Sequence, residues 1–282
     1  MVEKNYHLKS TLQGHLLNVM MKKISDNLST DDGVTDILEK LFLRKISQES
    51  IVIKDNLKGA VIPPLNTERI RPKSPKMTPI IIRNVYETYV YWKFFVNSAD
   101  KNYYFKAYFY EESLLKQDII YEDFEGEYPF LKVENTSIIM EEIIRDWKQL
   151  KRRGVSYPKW YNLKEGPRSF AHMNRILKLE EHFDRIYGFC SKLNHGMGLS
   201  NELLVKDDKL YLNATYSIHP EYEKYLFFLT SKLIEMINTD VLLSYKDKVS
   251  GLEEVYNNAK EEFKIGILKG MEKEQVKWLF NE

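Results

Sequence analysis

A chain of 282 residues, 43% of them apolar and 13% aromatic, suffices for one large or two modest domains, which bury ~70–75% of the extended surface and fold without staples. Twelve glycines and nine prolines exclude collagen-like, low-complexity and disordered classes, and a lone cysteine, Cys190, excludes an intramolecular disulfide and a cysteine-built zinc cage. Forty-two basic residues balance 41 acidic ones, which leaves no global field for nucleic acid or anionic membrane.

The chain opens without an apolar signal-peptide core, so a soluble, cytoplasmic protein is expected. From Asn5 to Asn27, Leu8, Leu12, Leu16, Val19, Met20 and Ile24 recur at the three- and four-residue spacing of an amphipathic helix. Ser29 to Gly33 stops it and caps a second helix over Thr35–Ile46. Ile51 to Thr78 holds four prolines and the basic residues Arg69, Arg71, Lys73 and Lys76; the expectation is a short strand at Ile51–Ile53 followed by an extended linker.

Pro79 suits a helix's first turn, and the run to Asn97 is almost wholly apolar. Arg83, Glu87 and Lys93 interrupt its Ile80–Val96 window, which falls short of the ~20 residues of a membrane span. Helices follow over Asn102–Gln117 and from Val133 or Thr136 to Arg152. Gly154, Pro158, Gly166 and Pro167 mark a loop. Ser169 opens the longest periodic stretch, read as one helix from Phe170 to Leu193 that Gly196 and Gly198 end. Leu203–Val205 and Leu210–Leu212 flank a hairpin turn, and helices return over Glu221–Ile237 and Leu252–Phe280. The expected fold is an all-α multi-helix bundle with one small β-hairpin near 203–212. Its expected parts are an N-terminal helical segment (1–50), a proline-rich basic linker (51–78), a helical core domain (79–245) and a C-terminal amphipathic helix (250–282).

No dinucleotide glycine pattern, phosphate loop, zincin motif or nucleophile elbow is present. Chemistry therefore rests on polar groups set into apolar helices. Arg83 and Glu87 lie about 40° apart on one helix face; such a pair either organises a buried polar network or lines a cleft. Tyr187, Ser191 and His195 follow one another at four-residue steps, with His195 at the helix end before Gly196. A histidine there can simply bond a helix carbonyl, or it can face Arg83 and Glu87. Cys190 falls on the apolar side as a core residue.

A second pair, Arg175 and His182, would share a face of the long helix about 20° apart. Their R-x6-H spacing is the loose end of the arginine–histidine spacing of HEPN ribonucleases, although surface residues give the same pattern. Lys148, Lys151, Arg152 and Arg153, with Arg145, form a basic cluster that can contact phosphates or merely be solvated. Glu141, Glu142, His172 and His182 are available to a metal, but no Glu-x2-His ligand pair stands in the text, so neither a metal nor a cofactor is expected.

The run Ile80-Ile-Ile-Arg83-Asn-Val-Tyr-Glu87-Thr-Tyr-Val90, Trp160, Ser169 and the stretch from Tyr187 through Ser191 to His195-Gly196 resemble an uncharacterised bacterial helical family of unknown function. An Arg-x3-Glu helix and a distant Tyr-x3-Ser-x3-His-Gly motif mark that family, and the resemblance spans roughly 75–245. It implies a distantly HEPN-like helical pattern and membership in toxin or anti-phage systems. Two readings follow. One is a HEPN-like effector, a metal-independent endoribonuclease acting on RNA at a homodimer interface, with Arg83, Glu87, Ser191 and His195, or else Arg175 and His182, as its catalytic groups. The other is a non-enzymatic adaptor or regulatory subunit, its polar cluster structural and its C-terminal helix a docking surface for a partner protein.

Overall fold

The computed structural model describes residues 5–27, 34–58, 77–120, 138–194, 203–206, 209–212, 220–267 and 273–280. Among them the chain is a bundle of helices with one short strand pair. Helix α1 (Tyr6–Asn27) forms where its periodicity places it, and Leu12, Leu16, Leu17, Met20 and Ile24 are fully buried along one stripe. Helix α2 (Val34–Lys58) runs straight through the segment expected to be a strand. Ile53 is buried while Ile51 and Val52 are exposed. Ile46, Ser50 and Ile53 are all buried, and their steps of four and three are a helix's inner face rather than strand alternation. The rest of the expected linker, with its basic residues, lies outside the described residues.

Helices α3 (Met77–Asn97), α4 (Lys101–Ile120) and α5 (Ile138–Arg152) follow. Asp100 caps α4, its carboxylate accepting the Tyr103 backbone N–H at 3.1 Å. The long helix expected from Phe170 to Leu193 is broken. Helix α6 (Phe170–Ile176) starts on Ser169, whose hydroxyl accepts the His172 N–H, and stops at Leu177. The Lys178 N–H then bonds the Arg175 carbonyl, and the Leu179 N–H bonds the Asn174 carbonyl. This is the six-to-one and five-to-two closure of a Schellman cap. Its left-handed position is Lys178, at φ 57°, where a glycine is usual. Leu179 is buried behind the cap, which accounts for its apparent fit to the helical stripe. The chain resumes as α7 (Glu180–His182), one π-helical stretch at Phe183–Gly188, and α8 (Phe189–Asn194).

Strands β1 (Leu203–Lys206) and β2 (Lys209–Leu212) pair antiparallel, Leu203 opposite Leu212 and Lys206 opposite Lys209. Helix α9 (Pro220–Tyr245) outruns its expected end by two turns. The single C-terminal helix of the sequence reading is two, α10 (Leu252–Ile267) and α11 (Lys273–Phe280). No described helix is long and apolar enough to cross a membrane.

The chain divides into two compact units. The first holds residues 1–32, 40–89 and 181–282, and the second holds 33–39 and 90–180. In the first, α1 packs along α9 and α10. Leu12 and Leu16 share a core with Ala259, Val276, Leu279 and Phe280, and buried Asn238 donates to the Gln13 carbonyl and side-chain oxygens at 2.9 and 2.8 Å. Part of the apolar face of the C-terminal segment, at Ala259, Val276, Leu279 and Phe280, thus packs against the chain's own N-terminal helix. In the second unit Trp160 is the hub. Tyr91, Phe94, Tyr104, Tyr108 and Tyr161 surround its ring, and buried Glu111 accepts its backbone N–H at 2.6 Å and the Lys159 ammonium at 2.9 Å.

Candidate functional site

The polar cluster lies within the first unit, where α3 and the π-helical stretch supply its side chains. Arg83 and Glu87 stand one turn apart on α3, and the Arg83 Nε donates to Glu87 Oε1 at 3.0 Å. The Arg83 Nη2 donates to the Tyr187 hydroxyl at 3.0 Å, and the guanidinium carbon sits 4.8 Å from the Tyr187 ring centroid. The Tyr187 hydroxyl also hydrogen-bonds Glu87, so the three side chains close a triangle. Phe183 stacks on Tyr187 at 5.0 Å, and Tyr86 packs beside it. A π-helical insertion shifts the side chains that follow it around the axis and recurs at functional sites; here it carries Tyr187.

The ion pair is only part-buried, its side chains 28% and 26% exposed. Burial works against the Arg83 charge, but the neighbouring Glu87 carboxylate and Tyr187 oxygen more than offset it and raise its pKa. Burial, and then Glu87, push the Tyr187 hydroxyl upward against the pull of Arg83. On α2, burial raises the Glu49 carboxyl, with Lys45 lowering it and Glu87 adding to the rise. The Glu49 Oε2 is buried and has no hydrogen-bond partner. Tyr89, one turn from Tyr86, hydrogen-bonds Asp240; burial, then Asp240, push its hydroxyl pKa up. Burial holds the Cys190 thiol at about 12, with Arg83 acting the other way.

Of the residues expected to converge, Arg83 and Glu87 meet, and Tyr187 joins them in place of a bare ridge. Ser191 is half-buried on α8, one turn beyond Tyr187. His195 and Gly196 lie outside the described residues. The Arg175–His182 geometry is corrected. Arg175 is on α6 and His182 on α7, with the Schellman cap and left-handed Lys178 between them, so they share no continuous helix face. Lys148, Lys151, Arg152 and Arg153 are exposed at the C-terminal end of α5. Among the described residues no three of His, Cys, Asp or Glu gather closely enough to hold a metal ion. Sequence reasoning missed Glu49, whose nearest sequence signal is only Lys45 one turn earlier.

Residues 73–210 match the model of a family of unknown function, DUF5677, and over that segment the resemblance to an uncharacterised domain-of-unknown-function family holds. Arg83, Glu87, Tyr187, Ser191 and His195 all fall inside the match. No curated protein and no solved structure matches the chain.

Proposed function

We propose that the protein is a HEPN-like helical effector of the toxin or anti-phage type, acting on RNA as a metal-independent endoribonuclease with Arg83 as its phosphate-binding group. One observation carries this reading: Arg83 is fixed in place and still open. A guanidinium has five N–H donors. Glu87 and Tyr187 take two of them, and the side chain keeps 28% exposure. The remaining donors suit an anionic oxygen in the fork geometry that favours phosphate.

In this reading the RNA 2′-hydroxyl attacks the adjacent phosphorus and the 5′-oxygen leaves. A base takes the hydroxyl proton and an acid returns one to the leaving oxygen. His195 would handle those protons, with Ser191, four residues before it in sequence, to orient the substrate. Arg83 would stabilise charge on the phosphoryl oxygens, Glu87 and Tyr187 would hold Arg83, and Lys148, Lys151, Arg152 and Arg153 would contact backbone phosphates. A homodimer would complete the substrate groove.

Induced expression of wild type beside His195→Ala and Arg83→Lys, scored for growth and bulk RNA integrity, tests the reading. It expects growth arrest with RNA fragmentation by wild type alone, and purified protein that cleaves RNA in excess chelator. Intact RNA with wild type, or equal toxicity of all three, rejects it. The closed triangle favours a second reading, a non-enzymatic adaptor or regulatory subunit with a structural cluster. Intact RNA together with a steep loss of thermal stability in Arg83→Ala would support it.

A further inference from the structure

The second unit contains a cavity of about 340 Å³, at the small end of the ~300–1,000 Å³ range of ligand sites. It opens where α3 ends, α4 begins and α6 stops. Phe94, Tyr104, Ile176 and Leu177 give it apolar walls, and Asp100 and Lys164 are the charged groups that line it. The neighbouring polar groups are engaged by their own backbone: the Asn97 amide donates to the Lys93 carbonyl at 2.7 Å, and the Ser98 hydroxyl donates to the Phe94 carbonyl at 2.8 Å.

Both walls end in uncommon backbone. Among the described residues the non-glycine positions with positive φ are Lys164, Glu165 and Lys178. Lys164 lines the cavity, Glu165 follows it, and Lys178 follows the lining residue Leu177. The 164–166 turn is locked. A Cβ on Gly166 would stand 2.1 Å from the Tyr161 carbonyl oxygen, and Tyr104 bonds the Leu163 carbonyl at 3.4 Å. Strained backbone persists where the surroundings over-determine it, and it concentrates at ligand sites. Here it delivers the Lys164 ammonium onto Asp100 and 4.9 Å from the Tyr103 ring centroid. The hydrogen bond between them lowers the Asp100 pKa and raises that of Lys164, so each partner holds the other charged. Both side chains are 42% exposed, and an ion pair this open costs little to separate.

A fixed positive and a fixed negative group side by side, against an aromatic and aliphatic wall, mirror one class of small molecule. We propose that this cavity binds a free α-amino acid with an apolar side chain. Its carboxylate rests on Lys164, its ammonium on Asp100 and its side chain against Phe94, Tyr104, Ile176 and Leu177. The ligand inserts into the ion pair and replaces one exposed contact with two. A purely apolar molecule would leave the two charges unused.

L-Phenylalanine is the test ligand, titrated by calorimetry and by thermal shift of the full chain. Saturable binding in the ~0.1–1 mM range is expected for a ligand of this size. Phenethylamine lacks the carboxylate and 3-phenylpropionate lacks the ammonium; each is expected to bind at least about tenfold more weakly. Asp100→Asn and Lys164→Met should each weaken L-phenylalanine to the same degree. Because Asp100 also caps α4, Ile176→Trp is the independent arm: position 176 is 52% exposed, so the variant can fold while its larger ring fills the cavity and abolishes binding. The absence of saturable binding to wild type overturns the proposal. So does binding that survives Ile176→Trp, or that one charge of the ligand suffices to produce.

Discussion

Two of the ion pairs among the described residues, of similar chemistry, are built in opposite ways. Arg83 and Glu87 lie four residues apart on one uninterrupted helix, and a tyrosine about a hundred positions later closes their hydrogen bonding. Asp100 and Lys164 come from two loops, stand 42% exposed and owe their meeting to consecutive left-handed residues. Regular backbone places the first pair at no conformational cost, so its energy is in the side-chain contacts. For the second pair the backbone is the expensive part and the contact itself is weak. Substitutions should therefore hurt the first through its side chains and the second through its main chain.

The largest effect is expected at Gly166. An added methyl group would overlap the Tyr161 carbonyl and crowd the Leu163 carbonyl at 2.9 Å, and backbone atoms cannot rotate away as a side chain can. Gly166→Ala should cost about 3 kcal/mol, the upper range for forced overpacking, while Lys164→Ala costs less than about 1 kcal/mol, as an exposed pair should. Urea unfolding of the two variants beside wild type checks the ordering. If Lys164→Ala proves the more damaging, backbone strain is not what holds this loop.

Next comes Arg83→Ala. Breaking a buried pair costs ~3–5 kcal/mol and an exposed one ~0–1 kcal/mol. At 28% and 26% exposure the expected loss is about 2 kcal/mol, part of it from leaving the Glu87 carboxylate without its own cation. Tyr187→Phe keeps the ring stack on Phe183 and removes only the hydroxyl, for about 1 kcal/mol. Thermal unfolding of both, and of the double variant, measures their coupling. Strictly additive losses would mean that the triangle does not act as a unit.

The same contrast explains what is legible in the sequence alone. Helix existence was legible nearly throughout, because burial of one face imposes a period that Leu12, Leu16 and Ile24 display directly. Arg83 and Glu87 were legible for the same reason, since a four-residue step is a contact on any helix. Other features were hidden. The Schellman cap after α6 uses Lys178 where glycine would have announced it, and buried Leu179 keeps the apolar rhythm running across the break. The π-helical stretch under Tyr187 changes register without any distinguishing residue type. Ile51, Val52 and Ile53 look like a strand because β-branched residues favour one, yet burial of Ile46 and Ile53 against the core carried the helix through them. Glu49 and the Asp100–Lys164 cavity were invisible because their partners are distant in sequence.

The smallest effects distinguish the two regions by the sign of their pH dependence. Glu49 sits in the first unit with its pKa raised by burial, against Lys45 and with the help of Glu87. A carboxyl raised in the folded state binds its proton more tightly there than in the unfolded chain. Its contribution to stability is therefore fully present below the ordinary glutamate value of about 4.3 and is lost as pH rises through the folded value. Asp100 in the second unit is lowered, chiefly by the hydrogen bond from Lys164, so its contribution is present above the unfolded aspartate value and is lost as pH falls through the folded one. Urea midpoints taken at intervals from acid to neutral pH should show both. Glu49→Gln should lose stability less than wild type on the way up to neutrality, because the amide never acquires the buried charge that has no partner at Oε2. Asp100→Asn should lose less than wild type on the way down into acid, and its effect should be the weaker of the two in salt, where an exposed pair is screened. Like signs for the two substitutions would mean that Glu49 is stabilised as a carboxylate after all, and that Arg83 and Lys45 reach it as effectively as Lys164 reaches Asp100.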